Sequence, residues 1–459
     1  MSQNGLYRLI LFIAAAALLF FGIYFYMERC IMIDSSFYIF YMIKDNIFQI
    51  QHNRIFAVFT QFLPMLLFNL NASLKPILLS YSLNTAMVWI FLATCTVLIW
   101  RDYKAAIAII VSPFLFNSRE LFWMVSEAQF LPALWIFVAA FLLNTNFRKY
   151  LILKIFILII LLFFAITVHP LSVFPLFFLI LFLLIKEFDK RFLAIFLVAT
   201  LFVFLLKSFF LPASPYDQGA MTRLSNFKYV APNYCYLAPN KMLFANLSAQ
   251  FYFIPIMLFL CLISFEGIKK FFSGFIYCLG IVAFFTFINV CFYDLQEYSV
   301  IYLENVYQPI ISALLIPVFF SAKSMKTDRL LIVVSSTILF FGIIRLWDTS
   351  KHFTKRLEWE RSIIAKYGTE KVALSTEIVP MDLLLHNWCV PYEIALLSSA
   401  ENEYCSSVFV YANEEEQKNI DDRGRHIVTV FKPIRYDWIP ADIFRYTDSV
   451  NCYRIVSPD

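Results

Sequence analysis

Two acids open the polar stretch that runs from Glu28 to Lys75: Glu28 itself and, six residues on, Asp34. In the same stretch Asn53 and Thr60 lie seven apart, as do Arg54 and Gln61, so on one helix these four would share a stripe. A carboxylate near a guanidinium is equipped for two tasks. The carboxylate takes a proton from a hydroxyl, and the guanidinium matches phosphate oxygens with two parallel hydrogen bonds. Other groups with chemical capacity stand further along. Arg119 and Glu120 are followed by Glu127 and Gln129, and His169 precedes Pro170. Asp217, Arg223, Lys228 and Lys241 are interleaved with Tyr216, Tyr229, Tyr234 and Tyr236, and Asp294, Glu297 and Glu304 form a late acidic group. Each also has a plainer reading, as a solvated loop charge, an interfacial anchor or half of an ion pair. Arg119 with Glu120 or Glu127 is the obvious pair. The nine cysteines include no CxxC and no paired Cys/His cluster, so they suggest no metal centre, and pairing of Cys389 with Cys405 is a guess. His386, in Met381–Trp388, has no acid or nucleophile at a recognisable spacing and reads as structural.

The elements that must position these groups are set by composition. The chain of 459 residues is 61% hydrophobic, with mean hydropathy +0.73 and only 15% charged residues, too apolar for a water-soluble fold. Its net charge of +5 comes from short basic clusters between apolar runs, which argues against nucleic acid. The first run, Tyr7–Met27, lacks a small-residue cleavage site and reads as a retained membrane helix. Pro76–Trp100, Ala105–Phe116, Trp123–Leu143, Tyr150–Val168 and Leu171–Ile185 follow. Phe192–Phe210, Phe251–Phe265, Phe271–Tyr293, Val306–Phe320 and Leu330–Leu346 complete a set of about eleven spans. Ala105–Phe116 is the shortest, and Pro113 suggests a helix that stops partway, shielded by neighbours.

Basic residues alternate between connections. Arg101 and Lys104, then Arg148, Lys149 and Lys154, then Lys186, Lys190 and Arg191, then Lys269 and Lys270, then Lys323, Lys326 and Arg329 mark one side; the short connections between them carry only Arg119. The positive-inside rule makes that side cytoplasmic, and Arg8 puts the N-terminus there. The first outer loop (28–75), the loop 211–250 and everything after Trp347 then share the outer side. Helices Ser35–His52 and Asn53–Asn69, apolar but broken by polar groups, suit the water–lipid boundary. The loop 211–250, rich in Pro and Asn, reads equally as a structured cap or as a lid whose cations meet phosphate and whose aromatics stack on sugars. Residues 348–459 read as a small α/β domain, with an amphipathic helix Trp347–Lys366 and short strands at Val372–Leu374, Ser407–Tyr411, Ile427–Phe431 and Tyr453–Val456. The expected fold is an α-helical polytopic membrane protein (1–347) with this outer domain, in the cytoplasmic (inner) membrane.

An N-in first helix, an acid a few residues beyond it, helices lying along the membrane, ten or so further spans and an outer C-terminal domain resemble the GT-C superfamily of membrane glycosyltransferases. The run Asp34-Ser35-Ser36-Phe37-Tyr38, then Asn53-Arg54-Ile55-Phe56 and Gln61-Phe62-Leu63-Pro64, is similar to bacterial members of that superfamily. Better-known branches carry adjacent acids, whereas Asp34 stands alone with Glu28 six residues earlier. The resemblance implies a polyprenyl-phosphate-linked sugar as donor, a glycan, lipid or protein as acceptor, and inversion at the anomeric carbon. It makes Asp34 the general base. Arg54, with Arg119 or Arg223, is then the phosphate partner, and Glu120 and His169 are further substrate contacts at the outer tips. No cofactor is called for, although the superfamily includes metal-dependent members.

Two other classes remain open on the residues alone. A lipid-intermediate flippase would carry ionisable groups at mid-membrane and internal repeats, and neither is evident. A polysaccharide polymerase would carry a late loop rich in Arg and His, and 211–250 has no His. A scaffold for envelope assembly that keeps the architecture without catalysis fits the lone acid. The charge asymmetry predicts that reporters fused after Arg101, Arg191 and Lys326 read cytoplasmic and that those after Asn71, Tyr229 and Asp459 read external. A cytoplasmic reading at Asp459 would overturn the arrangement.

Overall fold

The computed structural model describes residues 3–115, 117–124, 127–145, 149–265, 268–293, 300–321, 325–418, 420, 425–446 and 452–456. The chain is an α-helical membrane protein, about 75% helical. In order, α1 (Gln3–Tyr24) is followed by the shorter α2 (Ile33–Asp45) and α3 (Ala57–Asn69), then by α4 (Leu74–Trp100), α5 (Tyr103–Leu115) and α6 (Leu131–Asn144). Next come α7 (Leu151–Thr167), α8 (Val173–Ile185), α9 (Lys190–Phe210) and the short α10 (Pro215–Thr222). After them run α11 (Phe253–Ile263), α12 (Ile268–Cys291), α13 (Val300–Ser321), α14 (Met325–Tyr367) and α15 (Val390–Glu401). Among the described residues, seven helices are long and apolar enough to cross a membrane, and five shorter apolar helices accompany them.

The bundle is built around α5. In α5, Ala105, Ala106 and Ala108 let neighbouring backbones approach, and every residue from Ala105 to Leu115 is buried. α6 and α13 pack beside it and are almost wholly enclosed. Around this centre, α1, α4, α9 and α12 keep large apolar groups such as Phe12, Phe91, Val198 and Phe272 exposed, as a lipid-facing ring requires. α5 ends at Leu115, two residues after Pro113, and its end is satisfied inside the bundle. Arg345 of α14 donates to the Phe114 carbonyl at 3.2 Å and to the Gln250 carbonyl at 2.7 Å. The turn beyond it aims the N–H groups of Ser118, Arg119 and Glu120 at the Glu304 carboxylate of α13, at 3.0, 2.9 and 3.0 Å. Backbone that no helix can satisfy is thus met by a buried carboxyl and a buried guanidinium side chain.

Two expectations are corrected and a third is not reached. The helices of the first loop are shorter than Ser35–His52 and Asn53–Asn69: Asn46 is left-handed (φ 52°) and ends α2, and the turn before α3 contains left-handed His52 and Asn53. Asn53 and Arg54 therefore leave the stripe expected with Thr60 and Gln61. Gln61 instead closes the loop by a reciprocal pair with the Gln49 backbone, at 2.8 and 2.9 Å. Second, the span Leu330–Leu346 and the helix Trp347–Lys366 are one continuous helix of 43 residues, so the boundary at 347 falls inside α14. Third, the late acids Asp294 and Glu297 lie outside the described residues.

Beyond α14 lies a parallel three-stranded sheet in the order Ser407–Tyr411, Lys371–Ser375, Arg454–Val456. Its central strand is buried throughout, as a parallel sheet's should be. Of the expected strand Ile427–Phe431, only a two-residue pairing of His426–Ile427 with Ile434–Arg435 forms. α15 packs on this sheet and on α2, so one hydrophobic core runs from the bundle into the C-terminal part.

Gly342 marks where α14 crosses α5. A Cβ there would lie 2.6 Å from the Phe114 carbonyl oxygen and 2.7 Å from its Cβ. Gly342→Ala should therefore destabilise the folded protein by about 1–3 kcal/mol through forced separation of the two helices. A detergent melting curve that leaves the midpoint unchanged would rule out the close approach.

Candidate functional site

The C-terminal ends of α1, α7 and α9 and the starts of α4, α6 and α8 meet at one end of the bundle, and the first loop covers it. Asp34 occupies the first turn of α2, where unpaired backbone N–H groups and the helix dipole favour an acid. The residue before it, Ile33, is left-handed (φ 39°), an unusual conformation for a β-branched side chain. Asp34 is half-buried. Burial is the main cause that pushes its carboxyl up to about 7. A hydrogen bond from Trp123 and the charge of Arg54 oppose that rise, while Glu127 and Glu393 add to it.

Arg54 is placed by the double left-handed turn at His52 and Asn53, which sends its side chain inward. Its Nη1 donates to Glu127 Oε2 at 3.0 Å and its Nη2 to Asp217 Oδ1 at 3.2 Å. Burial alone would lower the Arg54 pKa, but the two carboxylates outweigh it and raise it. Asp217 starts the lid segment, and Ser214 links it back to the turn. The Ser214 hydroxyl donates to Asp217 Oδ2 at 3.1 Å and lies 3.2 Å from His52 Nδ1. The His52 ring stacks on Tyr216 at 4.4 Å, and Asn53 donates to the Pro212 carbonyl at 2.9 Å. The Nε of Arg54 is buried and has no hydrogen-bond partner among the described residues.

His169 and Lys207 complete the cluster. Leu171 N–H donates to His169 Nδ1 at 3.2 Å, which requires a neutral ring with its proton on Nε2. The same state follows from its pKa, held well below the usual value by burial and by the charges of Arg54 and Lys207. Lys207, near the end of α9, donates to the Ile166 carbonyl at 3.2 Å and keeps further N–H donors beside Asp217. Among the described residues no three His, Cys, Asp or Glu side chains are grouped to hold a metal ion.

The expected site residues therefore divide. Asp34, Arg54 and His169 come together. Arg119 and Glu120 belong to the turn capped by Glu304, with Arg119 in electrostatic reach of His352 and Glu120 fully buried. The expected ion pair of Arg119 with Glu127 is replaced by Arg54 with Glu127. Arg223 lies over the Phe292 ring at 5.6 Å, so the lid brings an acid, Asp217, to Arg54 rather than that cation. Lys207 was overlooked in the sequence; a lone lysine near the end of an otherwise apolar span was the available signal. Comparison with protein-family models, curated proteins and solved structures finds no match for this chain, so its geometry alone carries the reading.

Arg54→Met should strand Glu127 and Asp217 as buried, uncompensated charges and cost about 3–5 kcal/mol near pH 8. Part of that loss should return near about pH 5, where protonation removes the stranded charge. Melting curves at both values check this. A loss independent of pH would show that Arg54 acts through packing.

Proposed function

We propose that this protein is a membrane glycosyltransferase that moves a sugar from a polyprenyl-phosphate donor to an acceptor hydroxyl. The observation that carries the reading is a half-buried carboxylate, Asp34, poised near neutral pH beside a cluster of cationic and neutral donors at one end of an apolar bundle. A base is most useful when its pKa lies near the working pH. A donor whose leaving group is a lipid phosphate would approach from the bilayer, and the rim of the cluster at Lys207 belongs to a helix of the lipid-facing ring.

In the proposed reaction Asp34 accepts the proton of the acceptor hydroxyl as its oxygen attacks the anomeric carbon. The bond from that carbon to the phosphate oxygen breaks, and the electron pair leaves with the polyprenyl phosphate. One displacement inverts the anomeric centre, and Asp34 returns its proton to water. Arg54 Nε, the further N–H groups of Lys207 Nζ and His169 Nε2 are the donors that would meet the phosphate as its charge grows. Arg54 is less a free phosphate clamp than a hub whose Nη1 and Nη2 already hold acids, which makes Lys207 the principal cation for the leaving group. No step passes through a metal. The remaining expectations join this proposal: about eleven spans, an outer location for the site and the C-terminal part, and a cytoplasmic N-terminus.

Asp34→Asn keeps the side chain's volume but removes the base, so transfer from a lipid-linked sugar should fall by roughly two to four orders of magnitude. Donor binding and the melting midpoint should stay close to the wild type. The wild-type rate should rise with pH and level off above about 7, because only the ionised carboxylate accepts a proton. Equal specific activities of purified wild type and variant would end the assignment of Asp34. A wild type inactive on every lipid-linked sugar would favour a scaffold without catalysis.

A further inference from the structure

The backbone just before Asp34 is held from the far end of the sequence. Ile33 N–H donates to Glu393 Oε1 at 2.6 Å. The same carboxylate receives Nη2 of Arg356 on both oxygens, at 2.6 and 2.6 Å. Arg356 also reaches Glu360 Oε1 at 3.3 Å and donates to the carbonyl of Leu384. Ile33, Arg356, Glu360 and Glu393 are all buried. The restrained residue is the one with φ 39°, a conformation that strains a β-branched side chain and persists only where its surroundings impose it. The Ser36 hydroxyl then donates to the Ile33 carbonyl at 2.7 Å, so the left-handed residue is tied on both its N–H and its C=O.

We propose that Glu393, oriented by Arg356, is a positioning residue that holds Ile33 in its left-handed conformation and thereby fixes where the Asp34 carboxylate points. If Ile33 relaxed to an ordinary φ, the first turn of α2 would rotate and Asp34 would leave its place beside Trp123, Glu127 and Arg54. The C-terminal part is on this account a component of the site, although Glu393 need touch no substrate. The inference rests on reading Asp34 as the base, but it concerns conformation and is tested without substrate.

The readout is the titration midpoint of the Asp34 carboxyl in the full chain, taken as an infrared difference against Asp34→Asn. The groups that act on it are Glu127, Arg54, Glu393 and the Trp123 hydrogen bond. The triple variant Arg356→Met, Glu360→Gln and Glu393→Leu removes the acceptor together with the buried carboxylate that Arg356 would otherwise leave behind. It should lower the midpoint by one pH unit or more. Part of that fall is the lost charge of Glu393 and is common to every background. The part due to backbone release depends on residue 33, because glycine adopts a positive φ unaided and alanine does not. The fall should therefore be less than half as large in an Ile33→Gly background as in an Ile33→Ala background. Equal falls in the two backgrounds overturn the proposal, whether or not any glycosyl transfer is found. Should the triple variant fail to fold, the single variants at Ile33 decide. Ile33→Ala should melt below Ile33→Gly if the left-handed backbone is imposed there, and the reverse order overturns the proposal.

Discussion

The Arg54 guanidinium is largely removed from water, and the two carboxylates that hold it there come from two distant parts of the chain. Glu127 arrives from the turn before α6 and Asp217 from the segment after α9. Arg54 itself sits on the turn between α2 and α3. Take the cation away and three elements lose their reason to meet, because Glu127, Asp217 and Asp34 would confront one another as like charges. The cluster's arrangement follows from that exclusion. His52, Ser214 and Tyr216 then seal the contact between turn and lid with hydrogen bonds and ring stacking, so the roof over Asp34 is specified by polar groups rather than by apolar packing.

The same solution recurs at two further places where charge is buried. Glu304 gathers three backbone N–H groups from a turn that no helix could satisfy, and Arg345 covers the carbonyl at the end of α5. Arg356 and Glu393 bind the C-terminal part to the first loop. In a bundle whose remaining surface faces lipid, hydrophobic burial does little to choose one helix arrangement over another. Buried carboxyl and guanidinium groups with a single satisfactory set of partners make that choice instead.

Much of this was legible in the sequence, and the boundary of legibility has a physical cause. Apolar runs announce membrane helices because every residue in them must tolerate hydrocarbon, and Pro113 announced the helix that stops early. Asp34 and Arg54 drew attention because polar groups between such runs are few. What stayed hidden was pairing across long separations. Arg119 is the nearest cation to Glu127 in sequence, yet Arg54, 73 residues away, is its partner. The left-handed pair His52 and Asn53 breaks a stripe that periodicity alone would extend, since nothing in hydropathy reports φ. Likewise the polar half of α14 reads as the start of a separate domain, because composition changes at Trp347 while the helix does not end there.

That uninterrupted helix has a mechanical consequence. At 1.5 Å per residue its 43 residues extend about 65 Å, roughly twice the thickness of a bilayer's hydrocarbon core. One part of it is apolar and embedded, and the other carries Arg356, which grips Glu393 and through it the residue before Asp34. A stiff rod of that length converts each degree of tilt into about 1 Å of travel at its far end. Hydrophobic stretches answer a thicker or thinner membrane by changing tilt. A change in the tilt of α14 would thus be felt, through Arg356 and Glu393, at the residue before Asp34.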